Sequence, residues 1–144
     1  MQRSTANLLT LTLSLATFGS AGGQPRSAPV GLKSQAWTVG GVQRTGFVAL
    51  PISKSAAGAP LVLVFHGHGG TAANMSRALP IHSKWPEALV LYLQGLPSPG
   101  TIVDREGRNA GWQSAPGVMD DRDLAFVDSV LIWAKKTYPV NAKR

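Results

Sequence analysis

The sequence predicts an α/β fold built around a parallel pair of buried strands. Three observations carry that reading. Leu61-Val62-Leu63-Val64-Phe65 and Ala88-Leu89-Val90-Leu91-Tyr92 are unbroken apolar runs. Runs without alternation suit strands covered on both faces, as in parallel sheets. Between them lies a segment with helical spacing, Thr71 to Leu79, so strand, helix and strand form a βαβ crossover.

Taken in order, the elements have local reasons. Ala36-Trp37-Thr38-Val39 and Val42 to Leu50 are β-prone and flank Gly40-Gly41. Two glycines there suit a tight hairpin turn, which needs positive φ. Pro51 ends the second run, and Ser53 to Pro60 reads as a small-residue loop. Thr71 can cap the next helix, with Ala72, Met75, Ala78 and Leu79 on one apolar face, until Pro80 stops it. Glu87 to Leu93 carries the second buried strand. Gly95 to Gly117 is a 23-residue segment with five glycines and three prolines, long enough inside a domain to suggest a functional loop. The last helix is the clearest. Asp120 or Asp121 can cap it, and Asp123 complements its dipole. Leu124, Val127, Leu131, Ala134 and Tyr138 recur at helical spacing, and Lys135 and Lys136 occupy the last turn before Pro139. Trp85 and Trp133 read as core residues.

The start of the chain reads as an export signal over residues 1–21. Arg3 is a short basic region, Ala6 to Phe18 is apolar, and Gly19-Ser20-Ala21 supplies small residues at a cleavage site. The apolar stretch is shorter than the roughly 20 residues a membrane span needs. Residues 22–35 read as a flexible leader and 36–144 as the folded part. The expected localisation is therefore secreted, extracellular or periplasmic, with no membrane association after cleavage. No cysteine occurs among the 144 residues, which excludes disulfides and thiolate chemistry. The formal net charge is +7, but the 14 basic residues are scattered and no basic stripe alternates with aromatics. That distribution reads as a solvated surface and gives no nucleic-acid partner.

The sharpest chemical signal is His66-Gly67-His68-Gly69-Gly70, directly after the first buried strand. A strand running into a Gly-rich turn presents backbone N–H groups at the sheet edge where α/β folds bind ligands. Such donors stabilise the oxyanion formed during acyl transfer. The plainer alternative is a structural turn, with His66 a hydrogen-bonded structural residue. A metal site of His66, His68 and His82 is a further alternative, though flanking glycines fix ligands poorly. Trp112 is either a buried loop anchor or a substrate-lining ring. Asp120, Asp121 and Asp123 form a carboxylate cluster whose plainer role is capping.

Pro60 to Gly70 resembles the oxyanion-hole turn after the third strand of α/β-hydrolases. Trp112, then Asp120 to Phe126, then Tyr138-Pro139-Val140-Asn141-Ala142-Lys143-Arg144 resembles the secreted polyhydroxybutyrate depolymerase and feruloyl esterase group. The resemblance runs from about Val42 to Arg144. It implies a carboxylic-ester hydrolase with a Ser-Asp-His triad, acting through an acyl-enzyme on polyhydroxyalkanoate or plant-polysaccharide esters, without a cofactor or metal. Carried over, Gly67 and His68 match the oxyanion turn, with the His68 amide as donor. Trp112 matches an aromatic position near the active-site mouth, and Asp120-Asp121 a structural helix start. No catalytic residue is matched, because G-x-S-x-G does not occur here and the triad Asp and His follow it in chain order. The resemblance thus implies the N-terminal part of an α/β-hydrolase, lacking the nucleophile strand and inactive alone, with the Leu61–Phe65 strand left at a sheet edge. The other readings from sequence are a small secreted binding module without activity and, third, a His-ligated metal-dependent hydrolase. The signal reading makes a direct prediction: intact mass of the exported protein should place its N-terminus at Gly22. An exported product that retains Met1 or Arg3 would contradict it.

Overall fold

The computed structural model describes residues 28–52, 57–100, 102–141 and 143. The expected export signal and residues 22–27 of the leader lie outside those residues. Of the leader residues described, Lys33, Ser34 and Gln35 pair into the sheet. Leu32 is buried, and strand β1 (Lys33–Val39) begins two residues after Gly31, with Lys33 paired to Val48. Strand β2 (Val42–Ala49) returns antiparallel through Gly40 and Gly41, whose φ angles of +55° and +78° only glycine adopts freely. The expected hairpin is therefore present.

Strand β3 (Leu61–Phe65) and strand β4 (Leu89–Leu93) pair in parallel, and β4 also pairs antiparallel with β2. The mixed sheet has the order β1-β2-β4-β3. Central β4 explains why its sequence does not alternate. Leu89, Leu91 and Leu93 face one apolar cluster with Val48, Phe126 and Val130. Val90 and Tyr92 face the other, with Val64, Ala72 and Ala88. All five β4 residues are buried, each apolar one worth about 1.5–3 kcal/mol relative to exposure.

Helix α1 (Ala72–Ala78) starts at Thr71, whose Oγ1 accepts the Asn74 N–H at 3.1 Å, as the sequence predicts. A short helix α2 (Ile81–Lys84) follows Pro80 and was not foreseen; Trp85, expected in the core, sits at its end and is 41% exposed. The 23-residue segment holds strands β5 (Leu96–Pro97) and β6 (Ala110–Gly111), paired with each other. Among the described residues no helix is long and apolar enough to cross a membrane.

Helix α3 (Arg122–Thr137) packs on β1, and its buried residues are Asp123, Phe126, Val130 and Ala134. This corrects the expected face: Leu124 is 45% exposed, and Val127 and Leu131 are only half-buried. The helix is apolar on more than one side, so periodicity alone does not set its rotation. An ion pair sets it. Arg44 Nη2 donates to Asp123 Oδ1 at 2.7 Å, with both side chains nearly inaccessible. Arg44 Nη1 donates to the Arg122 carbonyl, and the guanidinium lies 4.2 Å above the Phe126 ring. Burial pulls the Arg44 pKa below its ordinary value, and the bond and charge of Asp123 pull it back up. Trp37 meets Phe126 and Trp133 edge-on, each at 5.5 Å, so Trp133 does pack on the core.

Strand β3 is less covered than its sequence predicts. Leu61, Val62 and Leu63 are half-buried and Phe65 is 41% exposed, because β3 lies at the sheet edge. One contact lies on that open side. Pro60 accepts the Leu89 N–H of β4, while the neighbouring Ala59 bonds to Pro139 and Asn141. Successive strand residues direct their backbone groups to opposite sides. Val140 therefore runs parallel to Ala59 on the side away from β4.

Removing one partner of a buried ion pair strands the other charge and typically costs about 3–5 kcal/mol. Arg44→Ala and Asp123→Ala should each lower the unfolding free energy measured by urea titration by that amount. The double variant should cost less than the sum. Additive losses would show that the pair does not couple β2 to α3.

Candidate functional site

The turn His66 to Gly70 leaves the C-terminal end of β3, as expected for an edge at which α/β folds bind ligands. His66 is buried at 4% exposure, and its ring is bonded at both nitrogens. Gly95 N–H donates to His66 Nε2 at 3.0 Å. The Gln94 amide nitrogen reaches the same atom at 3.0 Å, while its Oε1 accepts the Ala72 N–H. Nε2 is thus the acceptor, so Nδ1 carries the proton and donates to Gly67 O at 2.7 Å.

Gly67 O also accepts the Gly70 N–H at 2.9 Å. Two donors therefore hold the carbonyl of the 67–68 peptide inward. No peptide bond among the described residues is cis, and in a trans peptide the N–H points opposite to the C=O. The His68 N–H is consequently turned outward, and no acceptor among the described residues takes it. Nor is the Gly67 N–H taken. Gly67 and His68 are both exposed. An unbonded amide at the lip of a rigid turn is a donor poised for an anion or a polarised carbonyl.

Besides Gly95, the long loop holds this turn at three points. Trp112 Nε1 donates to His66 O at 2.8 Å, and its ring meets Phe65 edge-on at 4.9 Å and His66 at 5.2 Å. Trp112 is half-buried and packs on the core, so it anchors the loop. Gly69 N–H donates to Ala110 O at 2.8 Å. His68 Nε2 lies 3.1 Å from Asp104 Oδ2. The His68 ring fits because residue 111 is glycine: a Cβ there would stand 2.7 Å from His68 Nδ1.

The aspartates do not cap α3 as expected. Asp120 is exposed, and Met119, Asp120 and Asp121 are left-handed, with φ of 57°, 54° and 53°. Asp121 holds the N-cap position without a capping bond; its Oδ1 accepts from Gly117 N and Gln113 Nε2, which lower its pKa. Gln113 caps instead, its Oε1 accepting the Asp123 N–H at 2.9 Å and the Leu124 N–H at 3.4 Å. Asp123 Oδ2 takes the Gln113 N–H in return, at 2.6 Å. Asp121 and Asp123 are thus tied into the loop, with the cap supplied from across it.

The three histidines do not assemble into a metal site. His66 is fully bonded, His68 pairs with Asp104, and His82 Nδ1 lies 2.8 Å from the Tyr92 hydroxyl. No group of three or more metal-ligating side chains occurs among the described residues. Four residues of the site were not singled out from sequence: Arg44, Gln94, Asp104 and Gln113. For Asp104 the available signal was an aspartate followed by Gly107 within a long loop. Compared with known proteins, the chain matches no family model and no curated protein.

Asp104 carries a pH expectation. Its carboxylate accepts the Arg108 and Asn109 amides at 2.9 and 2.7 Å. The Arg108 amide, then that of Asn109, and lastly His68, hold its pKa down to about 2, from an ordinary 3.8. A carboxyl depressed in the folded state stabilises above its unfolded pKa and loses that contribution as pH falls through the folded one. The loop contacts should therefore persist near pH 3.8 and be lost as pH approaches 2, with the Asp104 carboxyl carbon titrating at about 2 by NMR. A midpoint near 3.8 would contradict the bonding described.

Proposed function

We propose that the chain is the oxyanion-side portion of an exported serine carboxylic-ester hydrolase of the α/β-hydrolase type. It is similar in kind to polyhydroxybutyrate depolymerases and feruloyl esterases. Its substrate is an ester of a polyhydroxyalkanoate or a plant polysaccharide. The observation that carries the reading is the unbonded His68 N–H, turned outward because His66 Nδ1 and Gly70 N hold the carbonyl of the same peptide.

In the reaction, a serine oxygen adds to the ester carbonyl carbon and its proton passes to a histidine. The carbon–oxygen bond to the alcohol then breaks, and the alcohol leaves with that proton. Water adds to the acyl-enzyme, releasing the acid and restoring the serine. Both additions put negative charge on the carbonyl oxygen, which the His68 amide would face. One such donor is worth about a hundredfold or more in kcat.

The sheet supports the same reading. In the implied topology, β3 lies beside the strand that delivers the nucleophile. Here β3 has one open edge, and Val140 runs parallel to Ala59 along it. The serine, aspartate and histidine of the triad lie outside these 144 residues under this reading. Trp112 and Phe65 would flank the acyl group.

A fluorophosphonate probe tests the proposal. The product of the complete reading frame should be modified at one serine in a G-x-S-x-G setting, and the 144-residue chain alone should stay unmodified and inactive on chromogenic esters. Stoichiometric modification of a serine within these residues would overturn the proposal, as would a complete product that neither reacts nor hydrolyses esters.

A further inference from the structure

We infer that Asp104 is a positioning residue, holding the His68 amide rigid through the His68 imidazole. The inference rests on the oxyanion reading of the turn and adds to it a second point of control. His66 and Gly70 fix the carbonyl of the 67–68 peptide, on its inner side. The outer side, where the amide must meet a ligand, is exposed at Gly67, His68 and Gly69. Those bonds hold the peptide at its carbonyl end; its amide end lies between exposed glycines, whose backbone is permissive.

The restraint comes from 36 residues further along the chain. Asp104 Oδ2 lies 3.1 Å from His68 Nε2. The carboxylate is itself fixed, because Arg108 N–H and Asn109 N–H donate to its two oxygens. Gly100 N–H and Gly107 N–H both donate to the Asp104 carbonyl at 3.0 Å. The residue sits at φ 61°, a conformation that aspartate adopts at modest cost when its side chain bonds locally. A left-handed aspartate with its backbone and both carboxylate oxygens engaged is a rigid post. The ring it holds lies in space that two glycines leave open: a Cβ at Gly111 would stand 2.7 Å from its Nδ1, and one at Gly100 3.3 Å from its Nε2. The oxyanion donor is thereby fixed from both ends of its own residue: backbone by His66, side chain by Asp104.

Four variants of the full chain separate this from a packing role, read as backbone amide order parameters by 15N relaxation. In the wild type, the residue 68 amide should be as ordered as β4, with an order parameter near about 0.85. Asp104→Ala should drop it below about 0.6. His68→Phe keeps a ring over Gly111 but cannot bond the carboxylate, and should produce the same drop. His68→Gln places a donor where Nε2 was and should restore the wild-type value. In His68→Phe the Arg108 and Asn109 amides should stay ordered, because their bonds to Asp104 do not involve residue 68. Asp104→Asn, which keeps one acceptor oxygen, should lie between the wild type and Asp104→Ala. An unchanged residue 68 in His68→Phe, or a loose one in His68→Gln, would overturn the inference. The readout needs no catalysis. A failed probe-labelling result with ordered amides would reject the esterase reading alone, and loose wild-type amides would reject the positioning role alone.

Discussion

A guanidinium–carboxylate pair closed inside the core, Arg44 to Asp123, is the constraint on which the rest of the structure depends. Neither charge is stable in an apolar interior without the other. Their pairing therefore dictates which side of α3 faces the sheet, with Phe126, Val130 and Ala134 following Asp123 inward. The second oxygen of Asp123 is equally committed, since it takes the Gln113 N–H, and Gln113 returns its own oxygen to the start of the helix. A strand, a helix and a loop thus meet at one carboxylate.

From there the constraint reaches the turn. Trp112 precedes Gln113, so a loop fixed at Gln113 delivers the indole to the end of β3, where it bonds His66 O. The imidazole of His66 is held in turn by Gly95, Gln94 and Gly67. Each link is a modest bond, typically about 0.5–1.5 kcal/mol net. Their value lies in direction. Together they leave one peptide with its carbonyl satisfied and its amide facing outward, which is what a preorganised donor requires.

The sequence was readable where local chemistry decides the outcome. Gly40-Gly41 required a hairpin turn, Thr71 offered a cap, and a run of five apolar residues in β4 encoded burial on both faces. The turn after β3 was readable for the same reason. It failed where the deciding partner is remote. Arg44 sits among scattered charges in sequence, and its burial follows from an aspartate 79 residues away. The rotation of α3 follows from that same pair, so counting apolar positions chose Leu124 and Val127 over Phe126 and Val130. Capping by Gln113 rather than Asp120 or Asp121 depends on how the loop returns across the helix, and the partnership of His68 with Asp104 depends on a loop with no periodicity to read.

The orientation of the His68 amide depends on which nitrogen of His66 carries the proton. A long-range 1H–15N correlation spectrum of the folded chain reads this directly. The expected form is the Nδ1–H tautomer, with Nε2 appearing as a bare, hydrogen-bond-accepting nitrogen between Gly95 and Gln94. An Nε2–H tautomer would leave the Gly67 carbonyl without its side-chain donor. The 67–68 peptide would then lack the lock that turns the His68 amide outward, which would contradict a preorganised donor at this turn.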